Sequence, residues 1–343
     1  PDGFKGKVYV QFDSDRDAPP PRGPEAPEGF EPPEVPEPPE PPEAPEKGWS
    51  FAVGYNKNRG GFFCENSRVH KVEGTSLPSQ ALKGIDVQVN GDVDILLDED
   101  PEGDILLDGD VDSLETRVSD DGVLSVRQGS TATSFFFLRG LASADVKLTL
   151  PRRFWDFIQI STTSGDVDVD VGLEVGQLSV KTCSGDVQLN SLEFQELIFK
   201  SASGDLDTGG LSGRTVHGES ASGDIQLTGR FDAARLSTAS GEISLEGGVR
   251  ELRCSTASGD VEVQVDQVPE QLDMSSKSGD CEIAMPGGEG FTLRFSTVSG
   301  ELDSDFPLVG PIGKRSGEAI YLDGGGRTFH MSSVSGDLAL RQQ

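Results

Sequence analysis

Cysteine, histidine and tryptophan are scarce in this chain, at four, three and two in 343 residues. The four cysteines, Cys64, Cys183, Cys254 and Cys281, follow neither metal-site nor disulfide-framework spacing, so no disulfide is expected. Only His70, His217 and His330 could act as a histidine base, and no G-x-S-x-G elbow accompanies them, which argues against a serine hydrolase. No run approaches the ~18 apolar residues of a membrane helix, and no charged-then-apolar leader precedes a cleavage site. Neither a membrane span nor a secretion signal is therefore expected within this stretch, which begins at Pro1. Basic residues are outnumbered, with 29 Lys and Arg against 59 Asp and Glu, for a net charge of −30. No basic stripe with interleaved aromatics offsets that field, so nucleic acid is a poor partner and cations or basic partners are favoured. A composition of 34% hydrophobic residues with 43 glycines suits many short strands and tight turns better than a thick globular core.

What is present is strongly patterned. Residues 1–17 hold one alternating segment around Val8, Val10 and Phe12, consistent with a short strand. From 18 to 48 the composition shifts to proline and glutamate, and 14 of the 21 prolines lie at or before Pro45. Glutamates recur every third residue from Glu25 to Glu46, which on a polyproline II rod would form one charged stripe. The segment reads as a disordered acidic linker. Residues 49–150 read as irregular N-terminal β coils, with a β-like alternation starting at Ile85, Val87 and Val89. They run continuously from about residue 80 into a regular repeat over 151–343.

The repeat is Ser-Gly-Asp/Glu, with its serine at 164, 184, 203, 222, 240, 258, 278, 299 and 335. Successive intervals are 20, 19, 19, 18, 18, 20, 21 and 36 residues, so the last is close to two units. A period near 19 marks a repeat architecture. Seven residues before the glycine stand apolar side chains such as Ile158, Leu178 and Leu197; five before it, Ile160, Val180 and Phe199. Three before it always stands Ser or Thr. These positions share the parity of the repeated serine and are expected to face inward with it, while Val167, Val187 and Leu206 supply the inward face of a second arm. The expected fold is an all-β, single-chain β-solenoid of coils of about 19 residues, stacked so that equivalent positions form ladders. Inward Ser and Thr are expected to hydrogen-bond to one another up the stack. The corner glycine is explained by positive φ or by close backbone approach, and the acid after it by turn hydrogen bonding.

The corner residues Ser164-Gly165-Asp166, Ser184-Gly185-Asp186, Ser203-Gly204-Asp205, Ser222-Gly223-Asp224 and Ser258-Gly259-Asp260 recur too often for one serine to be singled out as a nucleophile. Their acids are expected to form a solvated ladder, with divalent-cation binding as the sharper alternative. Asp98, Asp100 and Glu102, followed by Gly103, resemble the first half of a calcium loop. Gly109 stands where the closing glutamate belongs, so a turn-rich acidic loop is the simpler expectation. Cys254 and Cys281 occupy inward positions, where a thiol serves as a small hydrophobe. No cofactor is implied.

Thr163-Ser164-Gly165-Asp166-Val167-Asp168-Val169, the lead-in Asp145–Pro151 and the ending Ser333-Val334-Ser335-Gly336-Asp337-Leu338 resemble the bacterial putative-adhesin family, a domain of unknown function. The resemblance covers roughly residues 80–343. It implies a non-enzymatic binding or scaffolding module at the cell envelope or surface, with a protein or glycan as partner. Self-association into a structural scaffold is the alternative reading. A glycan-active β-helix enzyme is the third, but short uniform coils leave little room for the loops it needs.

Overall fold

Alternating apolar and polar residues put every second side chain on one face, and the many Val, Ile and Phe residues favour extended backbone, so the chain runs as short strands joined by tight turns. The computed structural model describes residues 82–109, 114–128, 143–169 and 172–343, with the backbone of Ala52–Asn56, Gly61–Glu65, Val69–His70 and Thr75–Leu77. The strand expected at 1–17 and the linker expected at 18–48 lie outside the described residues. No helix occurs among the described residues, and the architecture is an all-β solenoid.

Each coil has a long arm, a Ser-Gly-Asp corner and a short arm. In one example, Glu174–Lys181 leads through the corner to Val187–Asn190, and the next coil begins at Glu193–Ser201. Equivalent arms pair in parallel, with Leu178 beside Leu197 and Val180 beside Phe199 on the long arm, and Val187 beside Leu206 on the short arm. In mid-stack the short arm of one coil twice fuses with the long arm of the next, giving the 14-residue strands Ile225–Thr238 and Ile243–Thr256. The inward ladders form one apolar core. One ladder runs Ile158, Leu178, Leu197, Val216, Ala234, Leu252 and Leu272, all buried. In the neighbouring ladder the bulky Phe199 is followed by Gly218, an alternation of volumes that lets the layers fill without voids. Cys254 and Cys281 sit fully inside these ladders, and burial pushes both thiols up, Cys281 to about 12. Both fill core, as their parity requires.

Stacking does not follow chain order at either end. Arg327–Ser333 lies between Gln271–Ser276 and Phe291–Thr297, so the last coil in sequence is inserted inside the one that precedes it. The excursion between them returns as Ser316–Tyr321, which pairs antiparallel with the outer edge of Phe291–Thr297. Phe291 stacks on Phe329 at 4.6 Å and meets Phe306 and Tyr321 at 5.4 and 5.3 Å, closing the core with rings. The other end repeats the device. Val123–Gln128 pairs in parallel outside Gly84–Gln88, Val146–Pro151 pairs in parallel outside Val93–Asp98, and antiparallel Leu114–Val118 and Ile105–Gly109 cover them. Antiparallel strands thus blunt the sheet edges that a stack of parallel coils would expose.

Candidate ligand-binding groove

The corners bring their recurring residues together, for a structural reason. A Cβ added to Gly204 would fall on the carbonyl oxygen of Gly185, and the same clash recurs from Gly165 through Gly259 and Gly279 to Gly336 and Gly300. Of the two expected explanations for this glycine, close backbone approach is the one the geometry selects, since positive φ is found at other glycines and not at these. The repeated serine does not share the inward face. Ser164, Ser184, Ser203, Ser222 and Ser258 are exposed, because the strand ends two or three residues earlier and the bend resets the parity. The inward Ser or Thr hydroxyl also bonds differently from expectation. It bonds to corner backbone instead of to its counterpart in the next coil: Thr238 Oγ1 accepts the N–H of Gly241 at 3.0 Å and donates to the carbonyl of Gly223 at 3.2 Å. Thr162 does the same with Gly165 and Gly91. Both sides of a buried hydroxyl are thereby satisfied.

The corner acids form a ladder. The N–H of Asp186 donates to Oδ1 of Asp166 at 2.9 Å, that of Asp205 to Asp186 at 3.0 Å, and that of Asp224 to Asp205 at 2.8 Å. The series extends from Asp145 and Asp92 at one end to Asp280, Asp337 and the N–H of Glu301 at the other. A charge-assisted bond contributes ~1.5–3 kcal/mol, against a repulsion of ~1 kcal/mol between neighbouring carboxylates in water. Each such rung is therefore net favourable, with its aspartate carboxylate committed to the backbone of the next coil. Asp98 and Asp100 are used in a similar way, accepting the N–H groups of Asp100 and Glu102 as turn caps. Among the described residues no three His, Cys, Asp or Glu side chains are grouped to share a metal ion.

One rung is different. Glu242 donates its N–H to Asp224, but among the described residues its own longer side chain does not reach the N–H of Asp260. Burial raises its pKa, with Asp224, Asp260 and Glu262 adding to the effect. An acid raised in the folded state costs stability as pH rises through the window between its unfolded and folded values. Glu242→Asp should complete the ladder and stabilise the protein by about 1 kcal/mol at neutral pH. Urea denaturation of the two proteins would measure it, and an unchanged or lower midpoint would count against the ladder's energetic role.

The site that sequence reasoning missed lies on the outward face of the long arms. A groove of about 460 Å³ crosses five coils, on Leu211–Ser220, Ile225–Thr238, Ile243–Thr256, Gln271–Ser276 and Arg327–Ser333. Two rows of side chains line it. The first, in register, is Thr215, Ala233, Glu251, Gln271 and Thr328; the second is His217, Arg235, Arg253, Asp273 and His330. Small Thr215 and Ala233 leave the depression, and larger polar residues surround it. Arg253 Nε pairs with Asp273 at 3.2 Å. Arg235 is exposed, and its side chain makes no hydrogen bond or ion pair among the described residues. Arg250, on a neighbouring outward position, is by contrast held by Glu270 at 3.3 Å and Asp232 at 3.8 Å, and the hydrogen bond to Glu270 pushes its pKa up. A short basic row thus occurs on this face. Its signal was the position six residues before each corner glycine, which reads His217, Arg235 and Arg253 in consecutive coils.

The family model described as Toastrack DUF4097 matches residues 82–341. No curated protein matches the chain. Among solved structures, a putative adhesin from Parabacteroides distasonis is 13% identical, covering 80% of this chain and 95% of its own, with a TM-score of 0.39. A putative adhesin from Bacteroides fragilis is 15% identical, covering 80% of this chain and 95% of its own, with a TM-score of 0.36. A putative cell adhesion protein from Clostridium sporogenes is 10% identical, covering 81% of this chain and all of its own, with a TM-score of 0.22.

Proposed function

The chain belongs to the Toastrack DUF4097 family, and on that premise we propose that it is a non-enzymatic, adhesin-like binding module of the bacterial cell envelope that presents one polar groove on a rigid β stack. The observation that carries this reading is the pair of side-chain rows across five coils. Polar groups fixed on paired strands, instead of loops, lose little freedom when a ligand engages them. The recurring corner glycines and aspartates are occupied in holding the coils together, which leaves the non-repeating outward positions to specify a ligand. The envelope setting is what the family's adhesin label implies.

The full chain should bind saturably to at least one member of a panel of glycans, peptidoglycan and matrix proteins, and leave that ligand chemically unchanged on prolonged incubation. Release of cleaved product would overturn the non-enzymatic reading. A scaffold that grows by association of stack ends is the second reading. It is favoured by the short-arm strand Leu302–Ser304, which among the described residues pairs only with Leu338–Gln342, and by exposed Val309, Ile312 and Leu322 near that end.

A further inference from the structure

We infer that the groove takes a short acidic oligosaccharide, with a uronic-acid carboxylate on Arg235 and sugar hydroxyls along the two rows; the inference rests on the groove being the binding site proposed above. The chemistry of the lining selects the ligand class. The Arg235 side chain offers a planar fork of donors with no partner among the described residues, the geometry suited to a carboxylate. Around it stand groups of opposite demand. Glu251 and Asp273 only accept when ionised, Arg253 only donates, and Gln271, Thr215 and Thr328 do both. A hydroxyl both donates and accepts, so a polyhydroxylated ligand can satisfy all of them, whereas a phosphodiester chain would bring acceptors alone against two carboxylates.

Two further observations separate a sugar from a nucleic acid. Apart from the two imidazoles, no aromatic ring among the described residues lines the groove, so bases would find no extended stacking platform. The net charge of −30 also repels a densely charged polymer far more than a saccharide with an occasional carboxylate. Length fits as well. Five coils at the ~4.8 Å strand spacing give a track of roughly 20 Å, and the rows repeat at a step comparable to one pyranose unit of an extended chain.

The test is calorimetric titration of the full chain with an oligouronate, the matching neutral oligosaccharide and single-stranded DNA. It would be run on the natural protein and on Arg235→Ala, Ala233→Trp and, as a charge-matched control away from the groove, Lys147→Ala. The expected result is oligouronate binding that weakens at least about tenfold in Arg235→Ala, is abolished in Ala233→Trp, and is unchanged in Lys147→Ala. Neutral sugar bound as tightly as oligouronate, indifferent to Arg235→Ala but blocked by Ala233→Trp, would overturn the acidic class and leave the groove standing as the site. Preference for DNA, or no binding of either saccharide, would overturn the glycan assignment. Binding that survives Ala233→Trp would overturn the groove itself.

Discussion

Gly204→Ala should lower the free energy of unfolding by more than ~3 kcal/mol, while Ser203→Ala beside it should change it by less than ~0.5 kcal/mol. Each substitution changes a single side-chain heavy atom, a methyl carbon added at Gly204 and a hydroxyl oxygen removed at Ser203, and the structure assigns them opposite fates. At Gly204 the new methyl meets the carbonyl oxygen of Gly185, a backbone atom with no rotamer in which to retreat. Overpacking a core that can repack costs ~1–3 kcal/mol; here whole coils must separate, which also stretches the inter-coil bond from the Asp205 N–H to Asp186 at 3.0 Å. Because each coil contacts only its neighbours, a gap opened mid-stack removes one interface from a sum of nearest-neighbour terms. Ser203 points to solvent, and the bond it does make, from its N–H to the carbonyl of Cys183 at 2.9 Å, survives in alanine. Urea denaturation followed by circular dichroism measures both. A loss under 1 kcal/mol in Gly204→Ala would mean that the corners are not stacked backbone on backbone.

The contrast between those two neighbours also marks how far the sequence could be read. Period and alternation identified the coils and the inward ladders, because a two-residue side-chain period leaves little choice about which face Leu178, Val180 or Leu197 occupies. At the bend that rule stops applying. Parity put Ser203 indoors, yet the strand ends at Ser201 and the serine emerges. A glycine at a turn likewise admits two explanations, and only the position of the next coil's carbonyl decides between them. The groove was harder still, because its rows are contiguous in space and not along the chain. Reading the repeat at fixed period places Arg294 beside Asp273, whereas the inserted coil puts His330 there, and Arg294 pairs instead with Glu318 of the covering strand. Nothing in the interval between the last two corners, about two units long, says that the chain leaves the stack, turns back antiparallel and re-enters one layer in. That route depends on how Phe291, Phe306, Tyr321 and Phe329 pack around one another, a tertiary choice with no period of its own.

The covering strand makes the scaffold reading testable through the largest change in association we expect from a single substitution. Ala319 is fully buried opposite Leu293, at the centre of the antiparallel pairing between Ser316–Tyr321 and Phe291–Thr297. A carboxylate placed there by Ala319→Asp would be buried without a partner, at a cost of several kcal/mol, more than one short strand at a stack end can offset. The strand should therefore detach while the remaining coils stay folded, since of its side chains only Ala319 and Tyr321 are buried. Detachment frees a row of N–H and C=O groups along Phe291–Thr297 and uncovers Phe291, producing a straight apolar edge of the kind that recruits another chain. Sedimentation velocity should then show concentration-dependent growth to species at least twice the mass of the natural protein, with strand content retained by circular dichroism. Hydrogen exchange restricted to 316–321 would confirm that the intended element has opened. If that exchange is seen and the mass stays constant at high concentration, the stack end is not self-complementary even when exposed. A protein whose ends do not join can still hold a ligand across five coils, so this outcome would leave the groove as the functional surface and remove the main support for the scaffold.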